Sequence, residues 1–525
     1  MSDLSKQDPL SQPQPSTEAA FPSPAQSLDA KSALKLVRDH PLIRWIGIAA
    51  VVLLVASTVR HLMLVSTAFD LGIYDQVAYL LSRCKAPITS YLGFHHMGNH
   101  SAYSFYLIGL LYRIYPSVYW LFAVQAVCLA LGAWPTWLLA RQAGLSQSLA
   151  SAMAAVYLLH PIIFNVNMFD FHPEVMALPV WLLLLWLARR TPTDATQTWQ
   201  NRLWFCLALL FVLGCKASLS ITLATMGLWL VVIEKRRFYG LVAFVSGVTW
   251  FLLTTQWIIP TLSGSEAAAL GRYSALGGET VLETALNLFL KPGIVLGKVF
   301  SQDSLQYLGL LLVPFLWGLS PRYMLPLLSA VPLIIVNMLS ENGAQRDLVH
   351  QYSLPILPFL LLSVIDAVAH GKALLRRRRW IVLWALVVFL ALAKYGRYYP
   401  EYAKNLSTWQ ASREAIALIP HNEGAVITDN WHGAHLSHRE QIWLLGGNRT
   451  FKEDLPQADY VLINVTHPWD DNFEMTDRAL VRLKKRPELQ ISYERDGVYL
   501  FTRKPGTRKP GTAPEPPALP PQVVQ

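Results

Sequence analysis

The sequence predicts an all-α membrane protein with many spanning helices, followed by a small α/β domain outside the membrane. Hydrophobic residues make up 53% of the 525 residues and charged residues only 15%, whereas soluble proteins contain roughly 25% charged residues. The apolar residues are clustered in runs close to the length that crosses a bilayer. Basic residues are concentrated in alternate loops between these runs, which is typical of a multi-pass membrane protein. This composition excludes a disordered protein, a coiled coil and a disulfide scaffold, and it argues against a soluble enzyme.

The apolar runs predict about eleven spanning helices, at roughly 20 residues per span. They are Trp45–Thr67, Val118–Ala140, Leu149–Asn165, Val175–Ala188, Leu203–Cys215, Leu219–Ile233, Tyr239–Ile259, Leu305–Leu319, Tyr323–Leu339, Tyr352–Val368 and Trp380–Lys394. Proline inside the runs LVPFLWG and LPILPFLLL predicts kinked helices that pack against their neighbours. Ser101–Tyr112 is ambiguous, since it is either a short span or a helix that lies along the membrane surface.

Charge indicates the orientation of these spans. Basic residues precede the first span and recur in alternate loops, most densely at Arg376–Arg379. Since loops rich in lysine and arginine stay in the cytoplasm, the amino terminus is predicted to be cytoplasmic. The basic loops all fall on the cytoplasmic side only if Ser101–Tyr112 does not cross the membrane. The chain after Lys394 then lies on the outer side of the membrane. The net charge of +10 is therefore assigned to cytoplasmic loops, and we expect an integral inner-membrane protein whose partner is the lipid bilayer rather than nucleic acid.

Composition divides the chain into four parts. Residues 1–40 predict a disordered cytoplasmic tail, 41–395 the transmembrane domain, 396–503 an extracytoplasmic α/β domain, and 504–525 a disordered Pro-rich tail. The α/β domain is predicted from short β-like stretches, a hairpin signal at 495–497 and two helical patterns. The β-like stretches are Gly424–Thr428, Gln441–Leu445, Tyr460–Val465, Gln490–Tyr493 and Val498–Arg503, and the helical patterns are Leu406–Leu418 and Met475–Lys485. The four cysteines show no CxxC spacing, so no zinc or redox site is expected.

Ionisable residues just after a span are candidates for function, because charges near the hydrocarbon are costly unless they are paired. The motif FDLGIYDQ after the first span contains Asp70 and Asp75, and FHHMGNH contains His100. Asp70 is the stronger catalytic candidate and Asp75 the weaker. The alternative for Asp70 is that it caps a helix, since aspartate before an apolar stretch is a good N-cap residue.

Two further clusters are predicted on the same side of the membrane. Asp170, His172 and Glu174 alternate along FDFHPE, and alternate residues of an extended chain point to one side. They would present three ligands to a divalent metal, although His172 and Glu174 are equally typical of a buried ion pair that fixes the start of a helix. Lys216, in a short turn, either neutralises a phosphate or reaches toward the membrane surface with its charged end.

At these residues the sequence resembles a bacterial family of multi-pass membrane proteins that is described only as a domain of unknown function. The resemblance rests on FDLGIYDQ, MFDFHPEVMALPVWLLLLWLAR, CKASLSITLATMGLWLVVIEKRRFYG, HQYSLPILPFLLL and AHLSHREQIWLL, in that order. It covers most of Phe69–Leu445. That family is in turn similar in architecture to the GT-C superfamily of glycosyltransferases, which take sugars from polyprenyl-phosphate carriers on the outer face of the membrane.

The resemblance implies a GT-C-like bundle and a role for each candidate residue. Asp70 matches the essential acidic residue of the first outer loop and would act as the general base, with Asp75 as a second catalytic candidate. His100, Lys216, Arg272 and Arg346 would bind the substrate, with the three basic side chains on the phosphate. Asp170, His172 and Glu174 would orient the acceptor or hold a divalent metal. A polyprenyl-phosphate-linked sugar is the implied donor.

A second class of function stays open on the sequence alone. The chain is alternatively a transporter, a membrane sensor or an assembly protein with an outer binding domain. A transporter is expected to carry polar residues near the bilayer midplane. The deep charges here are few, and Glu234 and Asp366 are predicted near the inner ends of their spans.

Overall fold

The computed structural model of the chain describes residues 40–190, 198–265, 268–446 and 454–507. The disordered tails predicted at the two ends fall almost entirely outside these described residues.

The described part of the chain up to residue 265 is helical, apart from one two-stranded hairpin. Its elements are α1 Pro41–Leu62, a π-helical turn Ala68–Gly72, α2 Ile73–Ser82, β1 Ile88–Thr89, β2 Phe94–His95, α3 Met97–His100, a 3-10 turn Tyr103–Phe105, α4 Tyr106–Ile114, α5 Tyr119–Leu131, α6 Ala133–Gln142, α7 Gln147–Leu158, α8 Pro161–Asn167, α9 Glu174–Ala188, α10 Trp199–Leu213, α11 Leu219–Val232, α12 Arg237–Leu253, a π-helical turn Thr254–Ile258 and α13 Ile259–Ser263.

The second part continues the bundle and ends in a mixed sheet. Its elements are 3-10 Ala268–Tyr273, α14 Val281–Leu290, α15 Pro292–Val299, α16 Gln302–Leu312, 3-10 turns Val313–Phe315, Pro321–Tyr323 and Leu325–Ser329, α17 Val331–Leu339, 3-10 turns Gly343–Arg346 and Gln351–Ile356, α18 Leu357–Ala369, α19 Arg378–Leu392, α20 Tyr399–Lys404, α21 Leu406–Ala417, β3 Val426–Thr428, α22 Asn430–Gly433, β4 Ile442–Leu444, β5 Tyr460–Asn464, 3-10 Trp469–Asp471, α23 Phe473–Lys484, β6 Leu489–Arg495 and β7 Val498–Arg503.

The helical part has the character of a multi-pass membrane protein. Among the described residues, five helical stretches are long and apolar enough to cross a bilayer: Pro41–Leu62, Tyr119–Gln142, Gln147–Asn167, Arg237–Ser263 and Gly343–Ala369. Three other predicted spans form shorter apolar helices, namely α9, α10 and α11. The predicted number of eleven is therefore not confirmed, although a bundle of several spans is. Helix α4 has nine residues and extends about 13 Å, which is far short of the bilayer core.

Local sequence explains where helices begin and break. Ser146 caps α7 by accepting a hydrogen bond from the Leu149 amide at 3.3 Å, as a serine at this position commonly does. The predicted kinks occur where proline removes a helical hydrogen bond. Pro314 and Pro355 both lie in 3-10 turns that interrupt the neighbouring helices.

The carboxyl-terminal domain is a five-stranded sheet in the order β4-β3-β5-β7-β6. Strand β3 is parallel to β4 and β5, whereas β7 is antiparallel to β5 and β6. All five strands were predicted from the sequence, as was the β6–β7 hairpin. Its turn residues Asp496 and Gly497 have φ angles of 45° and 78°, which a tight hairpin of this kind requires.

Both faces of this sheet are buried. Val461, Ile463 and Phe501 pack with Leu483 of α23 on one face, whereas Leu462 and Leu500 pack with Ala411 and Ala415 of α21 on the other. Successive residues of a strand point to opposite faces. This explains why β5 is apolar along nearly its whole length instead of alternating between apolar and polar residues.

The sheet domain packs against the segment that follows α1. The hydrogen bonds between them include Phe69 N to Asn430 Oδ1 at 2.8 Å, Gln76 Nε2 to the Arg439 carbonyl at 3.0 Å, and Tyr91 Oη to the Gly433 carbonyl at 2.8 Å. The rings of His61 and His435 also stack, with their centroids 4.0 Å apart. The last part of the described chain thus holds the first connecting segment in place.

A buried ion pair fixes the same segment to the bundle. Arg60, near the end of α1, donates from Nη1 to Asp170 Oδ1 at 2.7 Å, and the two side chains are 2% and 0% exposed. The other oxygen of Asp170 accepts from the amide and the hydroxyl of Thr67, at 2.9 and 2.6 Å. One carboxylate therefore ties the chain after α1 to the loop between α8 and α9.

A second charged cluster lies at the far end of α9. Arg189 donates two hydrogen bonds of 2.9 Å to Asp366 and two more, at 3.1 and 2.6 Å, to Glu234. These are the two carboxylates that the sequence predicted near the inner ends of their spans. The cluster joins the ends of α9, α11 and α18, so it holds the bundle together away from the sheet domain.

The Arg60–Asp170 pair generates a prediction about stability. Asp170→Ala leaves the buried guanidinium without its counter-charge, which costs about 3–5 kcal/mol. We expect a clear fall in the thermal unfolding midpoint of the purified protein, measured by intrinsic fluorescence. The matched control is Asp303→Ala, because the Asp303 side chain is 71% exposed at 3.4 Å from its partner Arg346 and such pairs contribute about 0–1 kcal/mol. Equal midpoints for the two variants would show that the buried pair is not a stabilising contact.

Candidate functional site

Asp70 lies on the π-helical turn between α1 and α2. Such turns are rare and occur often at functional sites, because they rotate one side chain out of the regular helical register. Within the turn, Ala68 and Leu71 are fully buried and Phe69 is 54% exposed, whereas the Asp70 side chain is 36% exposed. The turn therefore presents the carboxylate at the surface beside an exposed phenyl ring.

His172 is the direct partner of Asp70. Its Nε2 lies 3.2 Å from Asp70 Oδ1, and its side chain is 4% exposed. Its Nδ1 lies 3.0 Å from the Asp170 carbonyl oxygen, so Nδ1 carries a proton that it donates to this oxygen. The ring of Phe169 stacks on the imidazole, with a centroid distance of 5.4 Å and an angle of 13°. One face and both nitrogens of the imidazole are thereby constrained.

Each member of the pair shifts the pKa of the other toward its charged form. Burial lowers the pKa of His172, but the adjacent Asp70 carboxylate, its hydrogen bond and Glu174 outweigh burial and raise that pKa above its usual value. Burial acts to raise the pKa of Asp70, but His172 holds this pKa below its usual value, with help from Lys216 and His350. Asp70 is therefore a carboxylate at neutral pH, and the imidazole beside it holds its second proton more strongly than a free histidine does.

Lys216 and Arg272 bring positive charge to the same place. Lys216 forms a salt bridge with Glu174, and its Nζ lies 5.6 Å from the centre of the Tyr352 ring. Arg272 stacks over that ring at 5.3 Å and donates to the Tyr352 hydroxyl at 3.0 Å. Within the described part of the chain, Arg272 forms no salt bridge. One tyrosine thus holds two cations, of which only the lysine is neutralised by a carboxylate.

The turn that carries Lys216 is fixed by close backbone contacts. The Ala217 amide donates to the His100 carbonyl at 2.9 Å, and the Ser104 amide donates to the Gly214 carbonyl at 2.8 Å. A Cβ atom on Gly214 would lie 2.2 Å from the Tyr103 ring, so only glycine permits this approach. Burial, and then the charges of Lys216 and His172, hold the pKa of His100 well below its usual value. His100 is therefore an uncharged member of the cluster.

The structure does not bring Asp170, His172 and Glu174 together as metal ligands. Asp170 binds Arg60, His172 binds Asp70, and Glu174 binds Lys216. Among the described residues, no group of three or more His, Cys, Asp or Glu side chains is placed to hold a metal ion. The side chains do not share one direction because each charge turns to a different counter-charge. The donor set does not fit a divalent metal, and we assign it no chemical step.

Asp75 and Arg346 have partners other than the residues of the Asp70 cluster. Asp75 is 2% exposed and accepts from the Tyr112 hydroxyl at 2.6 Å and from His438 Nε2 at 2.9 Å, in the contact with the sheet domain. Arg346 donates to the Ser340 carbonyl and lies 3.4 Å from Asp303.

A cavity of about 230 Å³ lies beside the Asp75 contact. His61, Asp75, Tyr119 and His435 are among the side chains that line it. It contains neither Asp70 nor Lys216, so it is separate from the candidate site.

Several side chains of the site were not predicted from the sequence. Tyr352 and His350 lie in HQYSLPILPFLLL, which was noted only as a family motif. The rings of Phe169 and His350 are in contact, with centroids 4.5 Å apart, and Tyr74 packs against His172 at 6.0 Å. An aromatic residue that holds a cation in the folded protein has no distinctive spacing in the sequence, so the motif was the only available signal.

The chain matches a known family and a known fold. Residues 60–500 match DUF2079, a family described as a predicted membrane protein, and no curated protein matches the chain in sequence. ArnT from Cupriavidus metallidurans in the apo state is 12% identical, with 89% of this chain and 99% of ArnT covered and a TM-score of 0.54. The same protein bound to undecaprenyl phosphate gives the same identity and coverage and a TM-score of 0.48.

A third solved structure is more distant. The oligosaccharyltransferase of Archaeoglobus fulgidus, in a complex with zinc and sulfate, is 11% identical, with 86% of this chain and 73% of that chain covered and a TM-score of 0.39. Of these three structures, apo ArnT superposes well enough to show a shared fold. That fold is the one implied by the GT-C resemblance, and the family match covers most of the chain. The protein therefore belongs to the DUF2079 family of predicted membrane proteins and has a fold similar to that of ArnT.

Proposed function

We propose that the chain is a glycosyltransferase that uses a polyprenyl-phosphate sugar as donor and acts on the outer face of the membrane. The observation that carries the proposal is the cluster in which a partly exposed carboxylate, Asp70, lies with Lys216 and Arg272. The fold shared with ArnT supports it, because ArnT binds undecaprenyl phosphate. Fold alone does not define an activity, so the proposal depends on the site.

Asp70 would act as the general base. The hydroxyl oxygen of the acceptor attacks the anomeric carbon of the sugar, and the proton of that hydroxyl passes to the Asp70 carboxylate. The bond between the anomeric carbon and the phosphate oxygen breaks, and its electron pair stays on the phosphate. His172 contacts Asp70 rather than the substrate, so it positions the carboxylate and keeps it ionised.

Lys216 and Arg272 would receive the phosphate. Cations that are already in place stabilise the negative charge that develops on a leaving group. Arg272 is the better candidate for direct contact, because Lys216 is already paired with Glu174. The Tyr352 ring keeps the two cations close together, as aromatic faces do for ammonium and guanidinium groups.

The segment that carries Arg272 would place the donor lipid. It continues into α14, which exposes Leu286, Phe289 and Leu290 at 56%, 81% and 65%. Apolar side chains exposed to this extent, next to a membrane domain, fit contact with acyl or polyprenyl chains.

Asp70→Asn should abolish transfer, because an amide cannot take up the acceptor proton. We expect a loss of about 10²- to 10⁴-fold in the kcat of the folded protein, together with a lower unfolding midpoint because His172 loses its charged partner. Cells that carry only this variant should accumulate one polyprenyl-phosphate sugar in extracted lipids. The control is Asp75→Asn, which should lower the unfolding midpoint while the folded fraction stays active. An unchanged lipid pool together with altered solute uptake would support the transporter alternative instead.

Arg272→Gln should weaken donor binding. Removal of one charge-assisted hydrogen bond corresponds to about a tenfold increase in the KM for the lipid donor, and kcat should change less. Arg346→Gln is the matched control, since Arg346 is already held by Asp303 and the Ser340 carbonyl. If both arginine variants raised the KM equally, Arg272 would have no specific role in donor binding.

The Asp70–His172 ion pair should stabilise the protein over a defined pH range. The raised pKa of His172 means that its contribution is complete below pH 6.5 and is lost as the pH rises through the folded-state value. The lowered pKa of Asp70 means that its contribution is present above pH 3.8 and is lost in stronger acid. We expect the difference in unfolding midpoint between the wild type and His172→Gln to shrink at alkaline pH. A difference that is independent of pH would show that His172 is neutral in the folded protein.

A further inference from the structure

We propose that the sheet domain carries a carbohydrate-binding surface that receives the glycan acceptor. The surface, which we call the aromatic edge, consists of Trp431, His467 and Trp469, with Trp409 beneath them. Its identification as a carbohydrate site depends only on the sheet domain. Its role as the acceptor site rests on the proposed function.

The aromatic edge lies where the topology of the domain favours a ligand. β4 and β5 flank β3 on opposite sides and run parallel to it. The residues after β3 include Trp431, and those after β5 include His467 and Trp469. In open sheets of this kind, ligands bind outside the carboxyl ends of parallel strands, where the chain leaves in opposite directions.

The rings form one continuous group that reaches the surface. Trp431 and Trp469 are in edge contact with centroids 4.6 Å apart, and Trp431 is nearly parallel to His467 at 12° and 6.3 Å. Trp409 packs against His467 at 4.8 Å and is fully buried, whereas Trp469 is 39% exposed. Flat, rigid aromatic faces of this kind bind the C–H faces of sugar rings, since little conformational entropy is lost on binding.

One donor favours a sugar over a lipid surface. Within the described part of the chain, Trp431 Nε1 is buried and has no hydrogen-bond partner, although the Trp431 side chain as a whole is partly exposed. Asn464 Nδ2 also has no partner among the described residues, but Asn464 is 1% exposed and lies beneath the surface. A buried donor without an acceptor is costly, and hydrocarbon offers no acceptor, whereas sugar hydroxyls offer several. An apolar platform with a few convergent polar groups is the usual composition of a small-molecule site.

A buried hydrogen-bonded triad holds Trp431 in place. Asp429 accepts from His432 Nδ1 at 2.6 Å and from the Trp431 amide at 2.9 Å, and His432 Nε2 lies 2.8 Å from Ser412 Oγ. These are the side-chain types of a hydrolytic triad. Ser412 and His432 are both 0% exposed, however, so no substrate reaches them. The triad instead joins α21 to the start of α22, and this contact fixes the position of the Trp431 ring.

The aromatic edge adjoins the candidate active site. The Asn430 side chain accepts from the Phe69 amide at 2.8 Å, and a Cβ atom on Gly433 would lie 2.6 Å from the Ala68 side chain. Trp431 is therefore one residue away from a contact with the neighbour of Asp70. A glycan that stacks on the aromatic edge would extend toward the carboxylate proposed to accept its proton.

The test uses the full chain in detergent micelles on a microarray of bacterial surface oligosaccharides. We expect the wild type to bind at least one glycan and Trp469→Ala to bind it roughly tenfold or more weakly, as for a tryptophan at the centre of a binding site. Trp431→Ala should have a similar effect. The control is Trp199→Ala, because Trp199 is 68% exposed and lies outside the sheet domain. Absence of glycan binding, or equal binding by Trp469→Ala, would overturn the proposal.

A second measurement separates this surface from a membrane contact and from catalysis. The tryptophan fluorescence of Trp469 is the emission of the wild type minus that of Trp469→Phe. In nanodiscs with brominated lipids, this difference should not be quenched. Strong quenching would mean that the aromatic edge lies on the bilayer. Asp70→Asn should keep glycan binding while transfer is lost. If Asp70→Asn retained transfer but Trp469→Ala lost glycan binding, the result would support the carbohydrate site and contradict the proposed catalytic role of Asp70.

Discussion

The buried pair of Arg60 and Asp170 determines where the functional groups of this protein lie. Asp170 receives hydrogen bonds from Arg60 and from both donors of Thr67, so the loop before α9 cannot shift relative to the end of α1. Asp70 follows Thr67 by three residues, and His172 follows Asp170 by two. Their contact at 3.2 Å is therefore a consequence of the ion pair beneath it. A buried charge without a partner costs about 3–5 kcal/mol. Electrostatics therefore fixes the geometry of the site as much as packing does.

The sequence was sufficient for the features that depend on local pattern. It identified the membrane domain, the five strands and the segment around Asp70, because hydropathy, strand propensity and the cost of charge near hydrocarbon act locally. It failed where pairing partners are distant in the chain. Asp170, His172 and Glu174 were predicted either as one set of ligands or with His172 and Glu174 as an ion pair, whereas their partners in the structure, Arg60, Asp70 and Lys216, come from other segments. Composition predicted short spans such as α9. It could not give the number of spans formed by apolar runs that proline interrupts.

The site is composite, since it depends on both ends of the described chain. The first connecting segment carries Asp70, and the sheet domain holds that segment through Asn430, Arg439 and Gly433. The same domain buries Asp75 through His438. A soluble domain at the end of a membrane protein is often a separate module joined by a mobile linker. Here its contacts with residues 61–91 make it a structural part of the bundle's functional end.

The pairing of charges at the candidate site has a consequence for protons. Asp70 is matched by His172 and Glu174 by Lys216, so a phosphate ester that arrives there adds negative charge to a nearly balanced group. The uncharged His100 lies near Lys216, His172 and Arg272, and added negative charge raises its affinity for a proton. Binding of an anionic lipid and uptake of a proton would then be thermodynamically linked, so that each promotes the other. Binding of an anionic lipid at this site would then be accompanied by protonation of His100.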